Sequence, residues 1–203
     1  MQGRRPQAAL DRRTGRIIVL RKVQTGSYNR FGAGVFIDPS GIIVTNAHTI
    51  NQADRITIIL DDNKELPAHV LLIVNDMDFG FLKVDLPYPI RAVPLANSDQ
   101  IKLGEEVVNI GNSEFLNQTV SGGKINGLGS SHTLKGQNKQ KNYLIKTSIT
   151  LYEGDSGGPL FDRQGRLIGL ITAKEESTDH ATFAIPSNII NRFLQEYLHG
   201  FRP

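Results

Sequence analysis

Short runs of apolar, largely β-branched residues recur along the chain, separated by glycine, proline, asparagine or aspartate. The runs cover residues 16–20, 34–37, 41–45, 55–60, 69–74, 79–84, 105–111, 142–150, 166–173 and 181–186. Strands of this length spaced by turn residues are typical of an antiparallel barrel or sandwich. No helix-length stretch of 3.6-residue periodicity lies between the runs, which excludes an alternating β-α-β fold. The sequence therefore predicts an all-β body.

The C-terminal residues follow a different pattern, with one apolar stripe at helical spacing. The stripe consists of Ile189, Ile190, Phe193, Leu194, Tyr197 and Leu198. Ser187 follows Pro186 and is a typical N-cap residue, and Gly200 is a typical helix terminator. We therefore expect a helix and a short tail over residues 186–203, packed across the β body.

One turn pattern occurs twice. Residues 37–43 and 161–167 both read apolar-Asp-x-x-Gly-x-apolar, which predicts a tight hairpin with glycine at positive φ. The repetition fits two similar barrels joined by a linker at residues 94–101.

Composition removes several classes of chemistry. The chain contains no cysteine, which excludes disulfides, thiolate zinc sites and a catalytic thiol. No apolar run approaches the roughly 20 residues that a membrane-spanning helix needs. The histidines and carboxylates show no paired metal-ligand spacing, so the sequence predicts neither a metal nor another cofactor.

Positive charge is concentrated at the N-terminus. Residues 1–22 hold seven cationic side chains and one acidic one, whereas the remaining residues hold 16 basic and 19 acidic ones. We interpret residues 1–16 as a basic arm that can make weak contact with an anionic surface. Because the rest of the chain is not basic, no nucleic-acid partner is expected.

The strongest chemical signal is the run GDSGGPL at residues 154–160. A nucleophilic serine needs an exposed hydroxyl on a sharp turn and backbone N–H groups directed at the developing oxyanion. Gly154 allows its own N–H and that of Ser156, on either side of Asp155, to converge on one point. Gly157 and Gly158 allow the backbone to pass close beneath a substrate. The run thus predicts a catalytic serine with a backbone oxyanion hole.

A catalytic serine needs a base, and the base needs a carboxylate that fixes its tautomer. His48 closes the strand predicted at residues 41–45, where a cleft can open. Asp78 and Asp76 both precede the strand at residues 79–84, and strand alternation alone does not distinguish them. The order His, Asp, Ser is that of chymotrypsin-like barrels.

These motifs resemble those of the HtrA-type (Deg) trypsin-like serine proteases. The similar segments are residues 34–48, 65–70, 103–112, 154–160 and 183–187, and the resemblance extends over residues 17–199. It selects Asp78, because the family's aspartate directly precedes an apolar-apolar-Leu-Lys-Val strand. It also implies two antiparallel six-stranded barrels, here residues 17–100 and 101–185, with the active site in the cleft between them.

Two departures from the family pattern stand out. Members typically continue into peptide-binding PDZ domains, whereas this chain ends after the predicted helix. Members usually carry asparagine before the serine, whereas Asp155 is typical of digestive trypsins, which pair it with a new N-terminus made by cleavage. Residues 16–19 superficially resemble such a cleavage site, but the two glycines that normally follow are missing.

The resemblance also assigns residues to substrate binding. The residue six before the serine lies at the base of the S1 pocket, and here it is Thr150, followed by Leu151 and Tyr152. Because no acidic side chain lies at the bottom of this pocket, a buried Lys or Arg of the substrate would lack its counter-charge. The pocket is therefore expected to favour uncharged, small aliphatic side chains. The strand residues Ile171, Thr172 and Ala173 are expected to pair with an extended substrate.

We therefore expect a serine endopeptidase acting on unfolded or extended polypeptide. Ser156 would attack the peptide carbonyl, His48 would act as base and then acid, and Asp78 would orient His48. The alternative is a catalytically silent barrel of the same type that binds peptides or serves assembly. The resemblance implies protein quality control, a bacterial periplasmic or other extracytoplasmic location with the targeting segment absent from this chain, and a homo-oligomer, commonly a trimer.

Overall fold

The computed structural model describes residues 17–25, 28–60, 64–86, 88, 90–112, 119–131, 143–152, 154–174 and 182–200. The predicted basic arm, residues 1–16, lies outside them. Within the described residues, twelve strands form two closed antiparallel barrels of six strands each. The first barrel has the strand order β1-β2-β3-β6-β5-β4. Its strands are β1 (Ile17–Thr25), β2 (Tyr28–Asp38), β3 (Ile42–Thr45), β4 (Arg55–Ile59), β5 (Glu65–Val74) and β6 (Phe79–Lys83).

The second barrel has the order β10-β11-β12-β9-β8-β7. Its strands are β7 (Glu106–Gly111), β8 (Thr119–Ser131), β9 (Tyr143–Thr147), β10 (Pro159–Phe161), β11 (Leu167–Lys174) and β12 (Thr182–Pro186). A one-turn helix, α1 (Ala47–Ile50), follows β3, and the C-terminal helix α2 (Ser187–Leu198) follows β12. The predicted fold class, all-β with two barrels and a C-terminal helix, is confirmed.

The apolar patterns are continuous, not alternating, because the central strands are buried on both faces. In β3, Ile43 packs in a cluster built from the first barrel, whereas Ile42 and Val44 join a cluster that spans both barrels and α2. In β11, Ile168 packs in a cluster of the second barrel, whereas Leu167 joins the shared one. Full burial of each such side chain contributes about 1.5–3 kcal/mol. The shared cluster therefore fixes the two barrels against each other.

Helix α2 closes this shared cluster. Phe193 meets Phe79 of the first barrel edge-on, with ring centroids 5.3 Å apart, and Ile190 and Leu194 are buried. The predicted N-cap differs from the structure: Pro186 occupies the N-cap position, and Ser187 is the first helical residue. Its hydroxyl donates instead to the Ala96 carbonyl at 2.8 Å, which ties the helix to the linker between the barrels. Among the described residues, no helix has the length and apolar character to cross a membrane.

The repeated Asp-x-x-Gly segments form the two tight turns that the pattern predicts. The N–H of Gly41 donates to the Asp38 carbonyl at 3.1 Å, and that of Gly165 donates to the Asp162 carbonyl at 3.0 Å. Both glycines have positive φ, 97° and 73°. The turns connect the second and third strands of the first barrel, β2 and β3, and the fourth and fifth strands of the second, β10 and β11, so they occupy different places in the two barrels.

Candidate active site

His48 projects from α1 at the end of β3. The neighbouring residues Ala47, Thr49 and Ile50 are buried, and His48 is the exposed residue of the turn. The sequence pattern predicts His48 at a strand end and gives no sign of the helical turn, since four residues leave no periodic signal. Burial of three of the four residues holds the His48 backbone rigidly while leaving its side chain half exposed.

The imidazole of His48 pairs with the carboxylate of Asp78. Nδ1 of His48 lies 2.8 Å from Oδ2 and 3.0 Å from Oδ1 of Asp78. The His48 backbone N–H also donates to Oδ1 at 2.9 Å. Because a carboxylate only accepts hydrogen bonds, Nδ1 of His48 is the donor in this pair, which makes Nε2 the acceptor nitrogen of the neutral ring. The exposed fraction of the side chain is 50% for His48 and 6% for Asp78, so the carboxylate is buried behind an accessible imidazole.

The backbone of Asp78 is left-handed, with φ 56° and ψ 41°. For a residue other than glycine, such a conformation costs about 1–3 kcal/mol. Asn46 Nδ2 donates to the Asp78 carbonyl at 3.0 Å, and the Asp78 N–H donates to the Asn75 carbonyl at 3.2 Å. These bonds offset the strain and direct the carboxylate at His48. The competing candidate, Asp76, is exposed, and the carboxylate beside His48 is that of Asp78.

Ser156 lies in the second of two consecutive glycine-dependent turns, residues 152–155 and 155–158, which together are called the serine turn. The Asp155 N–H donates to the Tyr152 carbonyl at 3.2 Å, and the third residue of this turn, Gly154, has φ 97°. The Gly158 N–H donates to the Asp155 carbonyl at 2.9 Å, and the third residue of that turn, Gly157, has φ 81°. A positive φ at the third position is the requirement of a type II turn. The two glycines of the sequence motif therefore sit where only glycine is unstrained.

The serine turn is seated on the first barrel, beside the element that carries His48. The Ala33 N–H on β2 donates to the Ser156 carbonyl at 2.8 Å. A Cβ on Gly32 would lie 2.9 Å from the Thr49 side chain and 3.1 Å from the Ser156 carbonyl. Gly32 is thus packed between the α1 turn and the Ser156 backbone, which brings the predicted nucleophile and base to the same edge of the barrel.

Gly157 allows the closest approach between the barrels at this edge. A Cβ at this position would overlap the Ala33 carbonyl and would lie 2.6 Å from Thr45 Oγ1. The Thr45 hydroxyl itself donates to the Ala33 carbonyl at 2.8 Å. The second glycine of the motif is therefore required by space as well as by φ.

Thr172 contacts the site in a way that the sequence analysis missed. Its hydroxyl donates a hydrogen bond to Oδ2 of Asp78. The register of β11 against β12 passes from Ile171 opposite Ala184 to Ala173 opposite Phe183, so Thr172 is the extra residue of a β-bulge. A bulge reorients one side chain of a strand, and here it places a hydroxyl on the carboxylate. A bulge leaves no signal in a single sequence.

The predicted substrate residues divide into two groups. Thr150 and Leu151 are partly buried and Tyr152, the first residue of the serine turn, is exposed. Ile171 differs from the prediction: its N–H donates to the Gly158 carbonyl at 2.9 Å and its carbonyl accepts from the Gly157 N–H at 3.0 Å. Both backbone groups are therefore committed to the serine turn and are not open to a substrate strand.

The carboxylate of Asp155 points away from the serine into the protein. Oδ2 accepts from the Tyr152 N–H at 2.9 Å, and Oδ1 accepts from the Thr119 hydroxyl at 3.1 Å. The residue is fully buried. Burial raises the pKa of Asp155, and the bonds from Tyr152 and Thr119 only partly counteract this. Within the described part of the chain, these partners are an amide and a hydroxyl, not a cation.

A family model described as a trypsin-like peptidase domain matches residues 32–170. The chain is 34% identical over 176 residues to a probable periplasmic serine protease do/HhoA-like of Haemophilus influenzae, covering 85% of this chain and 37% of that protein. It is 33% identical over 176 residues to the periplasmic pH-dependent serine endoprotease DegQ of Escherichia coli, covering 84% and 38%. The chain thus spans less than two fifths of the length of these relatives.

Solved structures give the same likeness in three dimensions. The HtrA-type protease AlgW with tripeptide superposes with a TM-score of 0.80 at 29% identity, covering 95% of this chain and 63% of that chain. The serine endoprotease from Yersinia pestis superposes with a TM-score of 0.82 at 24% identity, covering 98% of this chain and 68% of that chain. At this identity the two proteins are similar in fold.

Proposed function

This chain belongs to the trypsin-like peptidase family, and from that premise we propose that it is a serine endopeptidase with Ser156, His48 and Asp78 as its catalytic triad. The observation that carries the proposal is the hydrogen-bonded pair of His48 and Asp78 at the barrel edge that also seats the serine turn. A buried carboxylate behind an exposed imidazole is the arrangement that a general base requires.

In the proposed reaction, Ser156 Oγ attacks the carbonyl carbon of the substrate and His48 Nε2 takes the hydroxyl proton. The carbon–nitrogen bond then breaks, and His48 gives that proton to the departing amine. Water attacks the resulting acyl-enzyme with His48 again as base, which releases the acid and regenerates Ser156. Asp78 remains ionised and stabilises the imidazolium in both halves of the reaction.

The proposed oxyanion hole consists of the backbone N–H groups of Gly154 and Ser156, on either side of Asp155. Its support is the positive φ of Gly154 in a turn closed by Asp155 and Tyr152. Such donors act without reorganisation at the moment of reaction, and one of them typically contributes about 10²–10³ in rate.

We infer that the substrate is extended or unfolded polypeptide. Thr172 is the bulged residue of β11 and Ala173 follows it, so the backbone beyond Ile171 is the segment suited to pair with an extended chain. Thr150, at the predicted base of the S1 pocket, carries no charge, which supports a preference for uncharged, small aliphatic side chains at the cleaved bond.

The names of the relatives extend the proposal. The relatives from Haemophilus influenzae and Escherichia coli are called periplasmic proteases, and we propose an extracytoplasmic location and a role in protein quality control for this chain. A homo-oligomer, commonly a trimer, is proposed on the same resemblance. Sedimentation of the purified chain at several concentrations tests the oligomer.

The test of the activity is covalent labelling with a fluorophosphonate, followed by intact-mass measurement. The probe needs an activated serine and an oxyanion hole but no knowledge of the substrate. One adduct per chain is expected for the wild type and none for Ser156→Ala. Ser40→Ala, which removes an exposed hydroxyl in the β2–β3 turn, is the matched control and should label normally. A folded wild type that does not label would contradict the proposal and favour the silent peptide-binding barrel.

A further inference from the structure

The carboxylate of Asp155 bridges two elements that are distant in sequence. One oxygen accepts from the hydroxyl of Thr119, the first residue of β8, and the other accepts from the backbone N–H of Tyr152, the first residue of the serine turn. Gly111, the last residue of β7, completes the surroundings, since a Cβ there would overlap Oδ1 of Asp155. The carboxylate is thus packed against β7 and hydrogen-bonded at both oxygens.

The same residue fixes the serine turn through its backbone. Its N–H donates to the Tyr152 carbonyl and its carbonyl accepts from the Gly158 N–H. Tyr152 is therefore held to Asp155 at both its N–H and its carbonyl, and the turn between them contains Gly154. A rotation of the Asp155 side chain would break the bond to the Tyr152 N–H and release one side of this turn.

We propose that Asp155 is a positioning residue whose carboxylate couples Thr119 at the start of β8 to the serine turn, so that displacing Thr119 lowers the reactivity of Ser156. This inference rests on the proposed function, because it concerns the reactivity of the same serine. The carboxylate acts through the Tyr152 amide and the turn, without touching substrate. Its position immediately before Ser156 means that a small rotation moves the nucleophile and the N–H of Gly154 together.

The digestive trypsins hold the corresponding aspartate with an N-terminus made by cleavage. In this chain both carboxylate oxygens already accept hydrogen bonds from residues of the intact polypeptide. The coupling that we propose therefore needs no cleavage. It makes the start of β8 the place at which the serine turn can be held or released.

The experiment measures the second-order rate of fluorophosphonate labelling for the wild type, Thr119→Val, Thr119→Ser, Asp155→Ala and Asp155→Asn. Thr119→Val keeps the shape of the side chain and removes its donor, and we expect a loss of about fivefold. Asp155→Ala removes both acceptors, and we expect a loss of about 30-fold or more. In Asp155→Asn the amide oxygen can accept from Tyr152 while the amide nitrogen donates to Thr119, so most of the Asp155→Ala loss should be recovered.

A double variant separates coupling from simple loss of stability. If Thr119 acts through Asp155, adding Thr119→Val to Asp155→Ala should lower the labelling rate by less than about twofold. Asp162→Ala is the matched control, because Asp162 also accepts several bonds in a turn of the second barrel but lies outside the serine turn. It should lower the melting temperature without changing the labelling rate of the folded protein.

Amide hydrogen exchange at Tyr152 supplies a readout that does not depend on catalysis. Faster exchange of this amide is expected in Thr119→Val and Asp155→Ala, but not in Thr119→Ser. A wild type that fails to label contradicts the proposed function. Unchanged exchange at Tyr152 in folded Thr119→Val, or wild-type labelling in folded Asp155→Ala, overturns the inference instead. If Asp155→Ala does not fold, the Thr119→Val results decide.

Discussion

Thr172 of the second barrel donates its hydroxyl to the Asp78 carboxylate of the first barrel, on the same oxygen that faces Nδ1 of His48. One buried oxygen thus accepts hydrogen bonds from both halves of the molecule. The orientation of the carboxylate, and through it that of the imidazole, depends on the two barrels keeping their relative position. The apolar cluster shared by the barrels and α2 maintains that position.

Replacing Thr172 by valine should lower kcat/KM by about one order of magnitude or more. A hydrogen bond to a charged group contributes about 1.5–3 kcal/mol, and valine preserves the shape of threonine while removing the donor. Steady-state cleavage of a peptide substrate measures the effect. Thr172→Ser keeps the hydroxyl and should stay within about threefold of the wild type. Equal loss in the serine and valine variants would argue for a packing role instead.

Asp78→Asn should lower kcat by about 10⁴-fold while the fold is retained, the magnitude of the corresponding change in the general serine-protease template. With the amide oxygen in the place of Oδ1, it still accepts from the His48 backbone N–H, and the amide nitrogen in the place of Oδ2 faces Nδ1 of His48. Nδ1 must then accept, and the proton moves to Nε2, where the base is needed. Steady-state cleavage of a peptide substrate measures kcat, and a melting curve shows that the fold is retained. Retention of more than about a hundredth of the wild-type rate would contradict the tautomer argument.

Most of the fold was predictable from local pattern. Ten strand regions and the C-terminal helix follow from apolar runs and turn residues. Strand β8 was missed because several of its positions are glycine or serine, which have little intrinsic strand preference. Strand β10 has only three residues and gives no separate apolar run, but the GDSGGPL motif and the predicted hairpin at residues 161–167 mark its position. Both are held by pairing with neighbouring strands, which is information that no single segment contains.

In the candidate site too, local motifs were predictable and long-range contacts were not. His48, Asp78 and Ser156 could be named because each lies in a distinctive local motif. The hydroxyl of Thr172 on Asp78, and that of Thr119 on Asp155, join residues 94 and 36 positions apart. Each of these contacts depends on a strand irregularity or on barrel closure, so residue type alone gave no indication of either. The prediction of Ser187 as the N-cap was wrong because of another long-range contact: its hydroxyl donates to the Ala96 carbonyl in the linker.

Gly157→Ala should abolish labelling and strongly destabilise the protein. Its φ is 81°, and the added Cβ would overlap the Ala33 carbonyl, a backbone atom of β2 that cannot move aside. The expected loss therefore exceeds the roughly 1–2 kcal/mol of a left-handed alanine. Urea denaturation measures the change in the free energy of unfolding.

Gly104→Ala is the matched control for this substitution. Gly104 has nearly the same φ, 84°, but a Cβ there meets nothing within 4 Å. It should cost only the left-handed strain of about 1–2 kcal/mol and leave labelling intact. Similar losses in the two variants would show that φ, and not the contact between the barrels, makes Gly157 necessary.

The buried carboxylate of Asp155 should make stability depend on pH in a defined direction. Burial raises its pKa in the folded protein above the ordinary value of 3.8. As pH rises from that value, the unfolded chain releases its proton before the folded protein does, which favours unfolding. The contribution of Asp155 to stability is therefore greatest below its ordinary pKa. It is lost as pH rises through the raised pKa and is constant above it.

The comparison with Asp155→Asn isolates this contribution, because asparagine does not titrate. Urea denaturation at a series of pH values, from about 3.5 to 8, should show the wild type losing stability relative to the variant as pH rises and then reaching a plateau. Ser40→Ala removes no titratable group, so its difference from the wild type should not vary with pH. A flat difference between wild type and Asp155→Asn would mean that the bonds from Tyr152 and Thr119 balance the effect of burial on the pKa. A difference that grows in favour of the wild type as pH rises would mean that these bonds outweigh burial and lower the pKa.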